Sequence, residues 1–288
     1  MIRSMTAFAR CEAADDLGRL AWELRSVNHR YLEVSARLPE ELRALEPGVR
    51  ERVAARVGRG KLECNLRYQP AEAGGAPVEV DETQLDRLLE ACRVVERRLT
   101  PAARLSALEL LRWPGVVREP QRDAGALMER ALGLLEQALE ELVSTRQREG
   151  AQIRELLLAR SEAMSEQVTA VRARLPEVRA RLREKLENRL AELPAPADPG
   201  RLEQELVFLA QRMDVDEELD RLEAHIEEVR RVLDRKEPVG RRLDFLMQEL
   251  NREANTLGSK SSDADTTRAS VELKVLIEQM REQVQNVE

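Results

Sequence analysis

The residues best suited to chemistry in this sequence lie in its last quarter, around the second of only two histidines. Asp214, Glu218, Arg221 and His225 stand at i, i+4, i+7 and i+11, which places them roughly on one face of an α-helix. Two carboxylates, an arginine and an imidazole on one face can bind a divalent metal ion or act as acid and base. The alternative interpretation is a solvated charged face held by i, i+4 ion pairs.

A second polar cluster occupies residues 244–256. Glu249 and Glu253 stand four residues apart, about one helical turn, and Arg252 lies between them. Asn251 also falls in mid-helix, where asparagine is unfavourable unless its amide has a partner. Because this cluster has no evident role in core packing, it is a second candidate for catalysis or metal binding.

Basic residues form a third group of candidates. His29 lies in a basic stretch near the N-terminus, where a solvated strand end is the alternative to a contact with a phosphate or a base. Two arginines at a predicted helix start oppose the helix macrodipole unless an anion sits there, and a lysine in the predicted polar loop 258–263 can meet a phosphate. The predicted phosphate-contacting residues are Arg25, Asn28, His29, Arg30, Arg59, Lys61, Arg241, Arg242 and Lys260.

Several common catalytic motifs are absent from the sequence. It contains no P-loop, no glycine-rich dinucleotide turn, no Gly-x-Ser-x-Gly, no Cys-x-x-Cys and no His-Glu-x-x-His. With two histidines, a histidine triad or a multi-histidine metal site within one protomer is nearly excluded. The three cysteines are an odd number without short metal-ligand spacing, which favours a reduced, cytoplasmic location.

Composition predicts a mostly helical protein. Of the 288 residues, 35% are charged and 2% are aromatic, and glycine and proline are scarce, which argues against a large all-β sandwich. The length suffices for about two domains. No apolar run approaches the ~18–20 residues of a membrane span, and the N-terminus lacks the apolar region of a signal peptide, so we expect no membrane contact.

The net charge of −7 is unevenly distributed along the chain. Residues 21–70 carry ten basic against seven acidic residues, whereas residues 71–288 carry a net charge of −10. Because the field of the whole chain repels polyanions, a surface that binds nucleic acid must be a local one.

We predict an α+β fold, predominantly α, that begins with a mixed domain over residues 1–122. Residues 1–11, 19–38 and 61–68 contain period-2 alternation typical of half-buried strands, and turn residues at 15–18 favour a hairpin. These segments predict a short antiparallel sheet. A predicted helix over residues 40–57 ends at a glycine.

The remainder of the chain is predicted to be helical in two further parts. Residues 123–197 form a long helical arm, with Gly150 as a weak point. Residues 198–288 form a C-terminal helical domain behind the proline-rich boundary 194–200. The arm carries an apolar stripe at Leu127, Ala131, Leu134, Leu135, Ala138 and Leu142.

Several stretches of the chain resemble the YicC/YloC-type proteins. They are MIRSMT at 1–6 followed by Phe8, ELRSVNHRYL at 23–32, PVGRRLDFLMQELNREANT at 238–256, SKS at 259–261, VELK at 271–274 and REQVQNVE at 281–288. The resemblance spans the whole chain, and residues 100–195 contribute least. Ala7, where many relatives carry glycine, is a minor difference.

This resemblance implies a cytoplasmic bacterial endoribonuclease that depends on a divalent metal, Mn²⁺ or Mg²⁺. It also implies a ring-like homohexamer that encloses RNA, with a link to small-RNA turnover. The implied partners are RNA, further copies of this chain and other RNA-decay enzymes.

Within that activity, residue roles are predicted here from chemistry. Mg²⁺ and Mn²⁺ prefer oxygen ligands and Mn²⁺ also accepts imidazole, so the predicted metal ligands are Glu218, His225, Glu249 and Glu253. The predicted catalytic residues are Glu249, Arg252, His225 and Arg221, and the phosphate-contacting residues would bind RNA. With so few aromatics, recognition should depend on shape and phosphates more than on base stacking.

Other functions stay open at this point. A non-catalytic adaptor that presents RNA to another ribonuclease would use the same basic residues, and a purely structural helical oligomer would fit the composition. Within the enzyme class, the 2′-hydroxyl could attack without metal, with His29 or His225 as acid and base. We also expect the apolar helices at 124–193 to supply an oligomer interface, and each complete site to need the oligomer.

Overall fold

The computed structural model of the protein describes residues 2–71, 79–98, 106–117, 123–191, 214–235, 237–261 and 263–288. Its elements in chain order are β1 (Ala7–Asp15), β2 (Gly18–Val27), β3 (Leu32–Arg37), a 3-10 helix (Glu40–Leu45), α1 (Glu46–Arg56), β4 (Gly60–Pro70), α2 (Glu82–Glu96), α3 (Ala107–Leu111), α4 (Ala124–Ala191), α5 (Asp216–Leu233), α6 (Gly240–Lys260) and α7 (Ala264–Val284). The predicted α+β fold, predominantly α with a long central helix, is confirmed. No helix in the described ranges has the length and apolarity needed to cross a membrane.

The first two strands form the predicted hairpin. β1 and β2 pair antiparallel from Ala7 opposite Ser26 to Asp15 opposite Gly18. Gly18 has a φ of 124°, and a Cβ at this position would overlap the backbone carbonyl of Gln69 on β4. Glycine is therefore required where the hairpin turn meets the third strand of the sheet.

The sheet is mixed, which differs from the antiparallel sheet predicted from the sequence. Its strand order is β1-β2-β4-β3, and β4 pairs antiparallel with β2 but parallel with β3. The predicted extended segment 19–38 divides into β2 and β3 around residues 28–31. After β3, the 3-10 helix and α1 carry the chain back, so that β4 starts beside β3 and runs in the same direction.

The N-terminal core lies between one face of the sheet and the first half of α4. Trp22 on β2 is fully buried, and its indole Nε1 donates a hydrogen bond to the Ala131 carbonyl at 2.8 Å. The apolar stripe of residues 127–142 packs here against the strands of its own chain. The stripe therefore belongs to the core of one protomer, and an oligomer interface on the helices at 124–193, as expected from the sequence, would have to use their other faces.

A second core forms where the second half of α4 meets α5, α6 and α7. Leu157, Met164 and Val168 of α4 pack in it with buried residues of the three C-terminal helices. The long helix thus contributes to both cores. The predicted domain boundaries after residues 122 and 197 stay predictions, since residues 118–122 and 192–213, which include the proline-rich boundary 194–200, lie outside the described ranges.

The two ends of the chain meet on α4 between the cores. Arg146 is 1% exposed, and its guanidinium contacts the Ser4 carbonyl and the Glu288 carboxylate at 2.6 Å each. Gly150, predicted as a weak point, lies within the continuous helix α4, and a Cβ at this position would overlap the Ile2 backbone. This glycine lets the N-terminal segment cross close to α4.

Candidate metal centre and RNA-contacting residues

Helices α5 and α6 form an antiparallel hairpin whose apolar faces point into the C-terminal core. Leu219, Leu222 and Ile226 of α5 are buried there, together with Leu243 and Leu250 of α6. The polar residues next to these apolar faces meet along the line where the two helices touch. We call this line the α5–α6 seam, and it consists of Glu218, Arg221, His225, Glu249, Glu253 and Lys260.

Three predicted metal ligands come together at the centre of the seam. His225, Glu249 and Glu253 each offer one ligand atom, and these atoms all lie within 4.8 Å of one another. Glu253 is buried, at 3% exposure, and the other two are half-buried. Two carboxylates and an imidazole form a donor set that suits Mn²⁺, and the carboxylates also suit Mg²⁺. We call these three residues the triad.

Arg221 lies directly beside the triad. Its Nη1 is 3.5 Å from Oε1 of Glu253, and its Nη2 donates to Glu217 one turn earlier. The Coulomb attraction of Glu217, and then that of Glu253, raises the pKa of Arg221. A half-exposed guanidinium in this position can hold Glu253 and still reach a phosphate oxygen.

Glu218, the fourth predicted ligand, lies outside this group. It stands seven residues before His225, about 10 Å along the helix, and its Oε1 accepts a hydrogen bond from Lys260 Nζ at 2.8 Å. Lys260 also donates to the Asp214 carbonyl at 2.9 Å, from the last turn of α6 rather than from the predicted loop. Glu218 Oε2 is buried and has no hydrogen-bond partner among the described residues.

Arg252 is exposed on α6, one residue before Glu253. One residue corresponds to about 100° around a helix, so Arg252 lies on the solvent side of the triad. Asn251, noted in the sequence, has its amide partner one turn later, since Asn255 Nδ2 donates to Asn251 Oδ1 at 2.8 Å. This bond accounts for an unusual pair of mid-helix residues without giving it a role in catalysis.

The two arginines at the start of α6 lie at the other end of the hairpin. Arg242 Nη2 is 3.4 Å from Glu228 Oε1, and its guanidinium lies 5.8 Å from the ring centre of the exposed Phe245. Arg241 is exposed. Glu228 offsets the unfavourable charge of Arg242 at a helix N-terminus, and sequence reasoning missed this residue. Its position three residues after His225, on the same helix face, was the available signal.

The N-terminal basic residues form a separate group around the loop after β2. Asn28 Nδ2 donates to the Gln285 carbonyl at 2.6 Å and so joins the loop to the end of α7. Arg59 donates to the His29 carbonyl at 3.0 Å, while Lys61 and His29 lie 3.5 and 3.8 Å from Glu33. Two more residues complete the predicted set: Arg30, 5.2 Å from the Tyr31 ring centre, and Arg25, exposed on the outer face of β2.

The structure thus divides the predicted site residues between the α5–α6 hairpin and the N-terminal loop, and along the hairpin it separates Glu218 and Lys260 from the triad. His225, Glu249, Glu253 and Arg221 are brought together, while the loop at His29 contacts the end of α7. Among the residues that the structure describes, no contact joins His29 to the triad. The sequence left open whether the two groups meet, and within one protomer they stand apart in their contacts.

Comparisons with known proteins agree over the whole chain. A family model described as the N-terminal region of endoribonuclease YicC-like proteins matches residues 2–155, and the C-terminal model of the same family matches residues 171–288. A Haemophilus influenzae protein named "Probable endoribonuclease YicC" is 42% identical over 288 residues and covers the full length of both chains. A Clostridioides difficile protein of the same name is 31% identical over 293 residues, again over both full lengths. The family resemblance predicted from the sequence motifs is confirmed, and this chain belongs to the YicC-like endoribonuclease family.

Proposed function

We propose that this protein is a metal-dependent endoribonuclease that hydrolyses phosphodiester bonds in single-stranded or structured RNA. The observation that carries the proposal is the convergence of His225, Glu249 and Glu253 within 4.8 Å, with Arg221 beside them. The printed name of the relatives, probable endoribonuclease, supports the same reaction class.

In this proposal the triad binds the metal ion and Arg221 stabilises charge on the phosphate. Glu249, Glu253 and His225 would hold a Mn²⁺ or Mg²⁺ ion through two carboxylate oxygens and one imidazole nitrogen. Such an ion, when bound, lowers the pKa of a coordinated water and neutralises phosphate charge. Arg221 stabilises the negative charge that develops on the phosphate oxygens, from a guanidinium that Glu253 and Glu217 hold in place.

Basic residues at both ends of the hairpin would hold the RNA strand. Arg242 precedes Glu249 by seven residues and Lys260 follows Glu253 by seven, so each stands about 10 Å from the triad along α6. Arg241, Arg242 and Lys260 would contact phosphates on either side of the bond that is cut. Arg252, exposed beside the triad, and the loop group around His29 would contact the backbone farther along.

We further propose that the protein acts as a cytoplasmic homohexameric ring linked to small-RNA turnover, together with other RNA-decay enzymes. A ring can bring local basic patches together around RNA although each chain carries a net charge of −7. With the stripe on α4 buried, interface residues must come from elsewhere. Phe245, Val271 and Val275 on α6 and α7 are about half-exposed and apolar, and they are the candidates we favour.

A non-catalytic RNA adaptor is the second candidate function. It is favoured by the ion pairs of the seam, because Lys260 with Glu218 and Arg221 with Glu217 are the contacts of a structural network. Such a protein would bind RNA with a strong dependence on salt and would leave it intact.

Cleavage of a labelled structured RNA by the purified protein tests the proposal. Mn²⁺-dependent cleavage that EDTA abolishes would support the enzyme, while tight RNA binding without cleavage would establish the adaptor. The product ends then separate two chemistries. A 5′-phosphate with a 3′-hydroxyl indicates attack by an activated water, and a 2′,3′-cyclic phosphate indicates attack by the 2′-hydroxyl.

A further inference from the structure

A polar cavity lies at the edge of the sheet, away from the α5–α6 seam. β3 ends at Arg37, opposite Asn65, whereas β4 continues to Pro70. The chain leaves β3 through Leu38 and Pro39 and enters the 3-10 helix, which leaves a concave space of about 620 Å³ beside β4. Its volume is within the range of small-molecule sites, about 300–1,000 Å³.

Three arginines line this cavity: Arg37, Arg43 and Arg67. Arg37 is exposed and has no ion-pair partner in the described part of the chain. Arg43 contacts Glu40 at 3.2 Å and Arg67 contacts Glu23 at 3.4 Å, both as largely exposed guanidiniums, so these contacts are weak. Three guanidiniums around one cavity offer several N–H donors and positive charge to an anion that binds between them.

Glu46, the only acidic residue among the described residues of the lining, does not cancel this charge. The carboxylate of Glu46 is engaged by Arg50, whose Nη2 lies 2.8 Å from it. The cavity therefore has a net positive lining, and arginine forks match phosphate oxygens in geometry as well as in charge.

Two further features of the lining match a nucleoside. Asn65 Oδ1 is buried without a hydrogen-bond donor among the described residues, and an unsatisfied acceptor gains from any donor that reaches it. Leu38 and Pro39 add an apolar wall against which a base can lie.

We propose that this cavity binds a nucleoside 5′-phosphate, with the phosphate between Arg37, Arg43 and Arg67 and a hydroxyl or amino group of the nucleoside donating to Asn65. Two kinds of ligand carry a nucleoside 5′-phosphate: a free mononucleotide and the 5′ end of an RNA strand. The site uses no residue of the triad, so the proposal goes beyond the cleavage activity and does not depend on it.

Isothermal titration of the full chain in EDTA, where metal-dependent cleavage cannot occur, tests this site. The probes are AMP, a 5′-phosphorylated RNA decamer and the same decamer with a 5′-hydroxyl. We expect AMP or the phosphorylated decamer to bind, and the phosphorylated decamer to bind about tenfold more tightly than the hydroxyl form if the source is an RNA end. Binding of AMP without an effect of the decamer phosphate would assign the site to free mononucleotides.

Charge variants locate the binding. The double variant Arg37→Gln/Arg67→Gln should weaken AMP or 5′-phosphate binding by at least about tenfold, and each single variant by less. Arg93→Gln, which removes an equally exposed arginine from α2, should leave binding unchanged. Arg37, Arg67 and Arg93 are all exposed, so the variants should fold, as circular dichroism would verify. The proposal is overturned if neither AMP nor the 5′-phosphate contributes to binding, or if the double variant binds as tightly as the wild type.

Discussion

The guanidinium of Arg221 lies 3.5 Å from the carboxylate of Glu253, which is the most buried member of the triad. This contact places a positive charge next to the residues best arranged to hold a metal ion. A buried carboxylate without a cation nearby would be costly, so Arg221 also stabilises the site before any ligand binds. The same residue can therefore serve both the folded site and the reaction.

Replacing Arg221 by glutamine should lower the rate of RNA cleavage by about 10²-fold, because one donor to the developing phosphate charge is lost. Affinity for Mn²⁺ should not fall, since the three ligands remain and a positive charge next to them is removed. Arg221→Lys should recover only part of the rate, because an ammonium lacks the planar fork of a guanidinium. Single-turnover cleavage at saturating RNA measures the effect, with Arg268→Gln on α7 as the matched exposed control. Equal rates for Arg221→Gln and the control would show that Arg221 has no part in the reaction.

Metal binding should separate the triad from Glu218. Glu253→Gln and His225→Ala should each weaken Mn²⁺ binding by at least about tenfold, as expected when a direct ligand is removed. Glu218→Gln should have a smaller effect, because its carboxylate is held by Lys260 two turns away. Titration calorimetry with Mn²⁺ measures all three variants. A loss for Glu218→Gln as large as that for Glu253→Gln would restore the four-ligand site predicted from the sequence.

The contact between the chain ends should make a large contribution to stability. Arg146 is buried, and burial lowers the pKa of its guanidinium although Glu288 opposes the shift. Arg146→Gln should reduce the free energy of unfolding by about 3 kcal/mol, because it leaves the Glu288 carboxylate and the Ser4 carbonyl without their partner. Urea denaturation compares it with Arg148→Gln, an exposed neighbour expected to change stability by less than about 0.5 kcal/mol. Similar losses for the two variants would contradict the assignment.

Acid should weaken the start of α7 through Asp263. Burial tends to raise the pKa of this carboxyl, but the N–H of Thr266 and the charge of Arg174 outweigh it, so the pKa lies below its ordinary value of 3.8. A lowered native pKa means that the stabilisation is complete above the ordinary value and is lost as the pH falls through the native one. Asp263→Ala should therefore cost about 1 kcal/mol at pH 7 and less at pH 2. Thermal unfolding at both pH values checks this, and a cost that does not depend on pH would rule out the charged cap.

Much of the fold could be predicted because its elements carry local signals. Alternation in β1 and β2 and the turn before Gly18 specify the hairpin, and the apolar periodicity of α4 specifies a long helix. The parallel pairing of β3 could not be predicted, since it depends on how α1 packs and not on the composition of the strand. The prediction that Gly150 is a weak point of the helix was wrong for a related reason. The glycine lets the backbone of Ile2, which is distant in sequence, pass close to α4.

The candidate site was predictable to the extent that it lies on helical faces. The spacing of His225 on α5 and of Glu249 and Glu253 on α6 identified three residues that the fold brings together. Glu218 shares a helical face with His225, which led to its prediction as a fourth ligand. The sequence could not show that Glu218 pairs with Lys260 instead, because that contact depends on the antiparallel register of α5 and α6. The cavity beside Asn65 left no signal in the sequence, since it arises from the unequal lengths of two paired strands.

The most direct test of the account is Mn²⁺-dependent cleavage of a labelled RNA by Glu249→Gln beside a matched control, Glu282→Gln, which alters an exposed glutamate of α7. Both substitutions remove one carboxylate charge and preserve side-chain size. We predict that the control cleaves like the wild type, and that Glu249→Gln loses cleavage by at least about 10²-fold while it still binds the RNA. Cleavage by Glu249→Gln at the wild-type rate would show that the chemistry lies outside the triad.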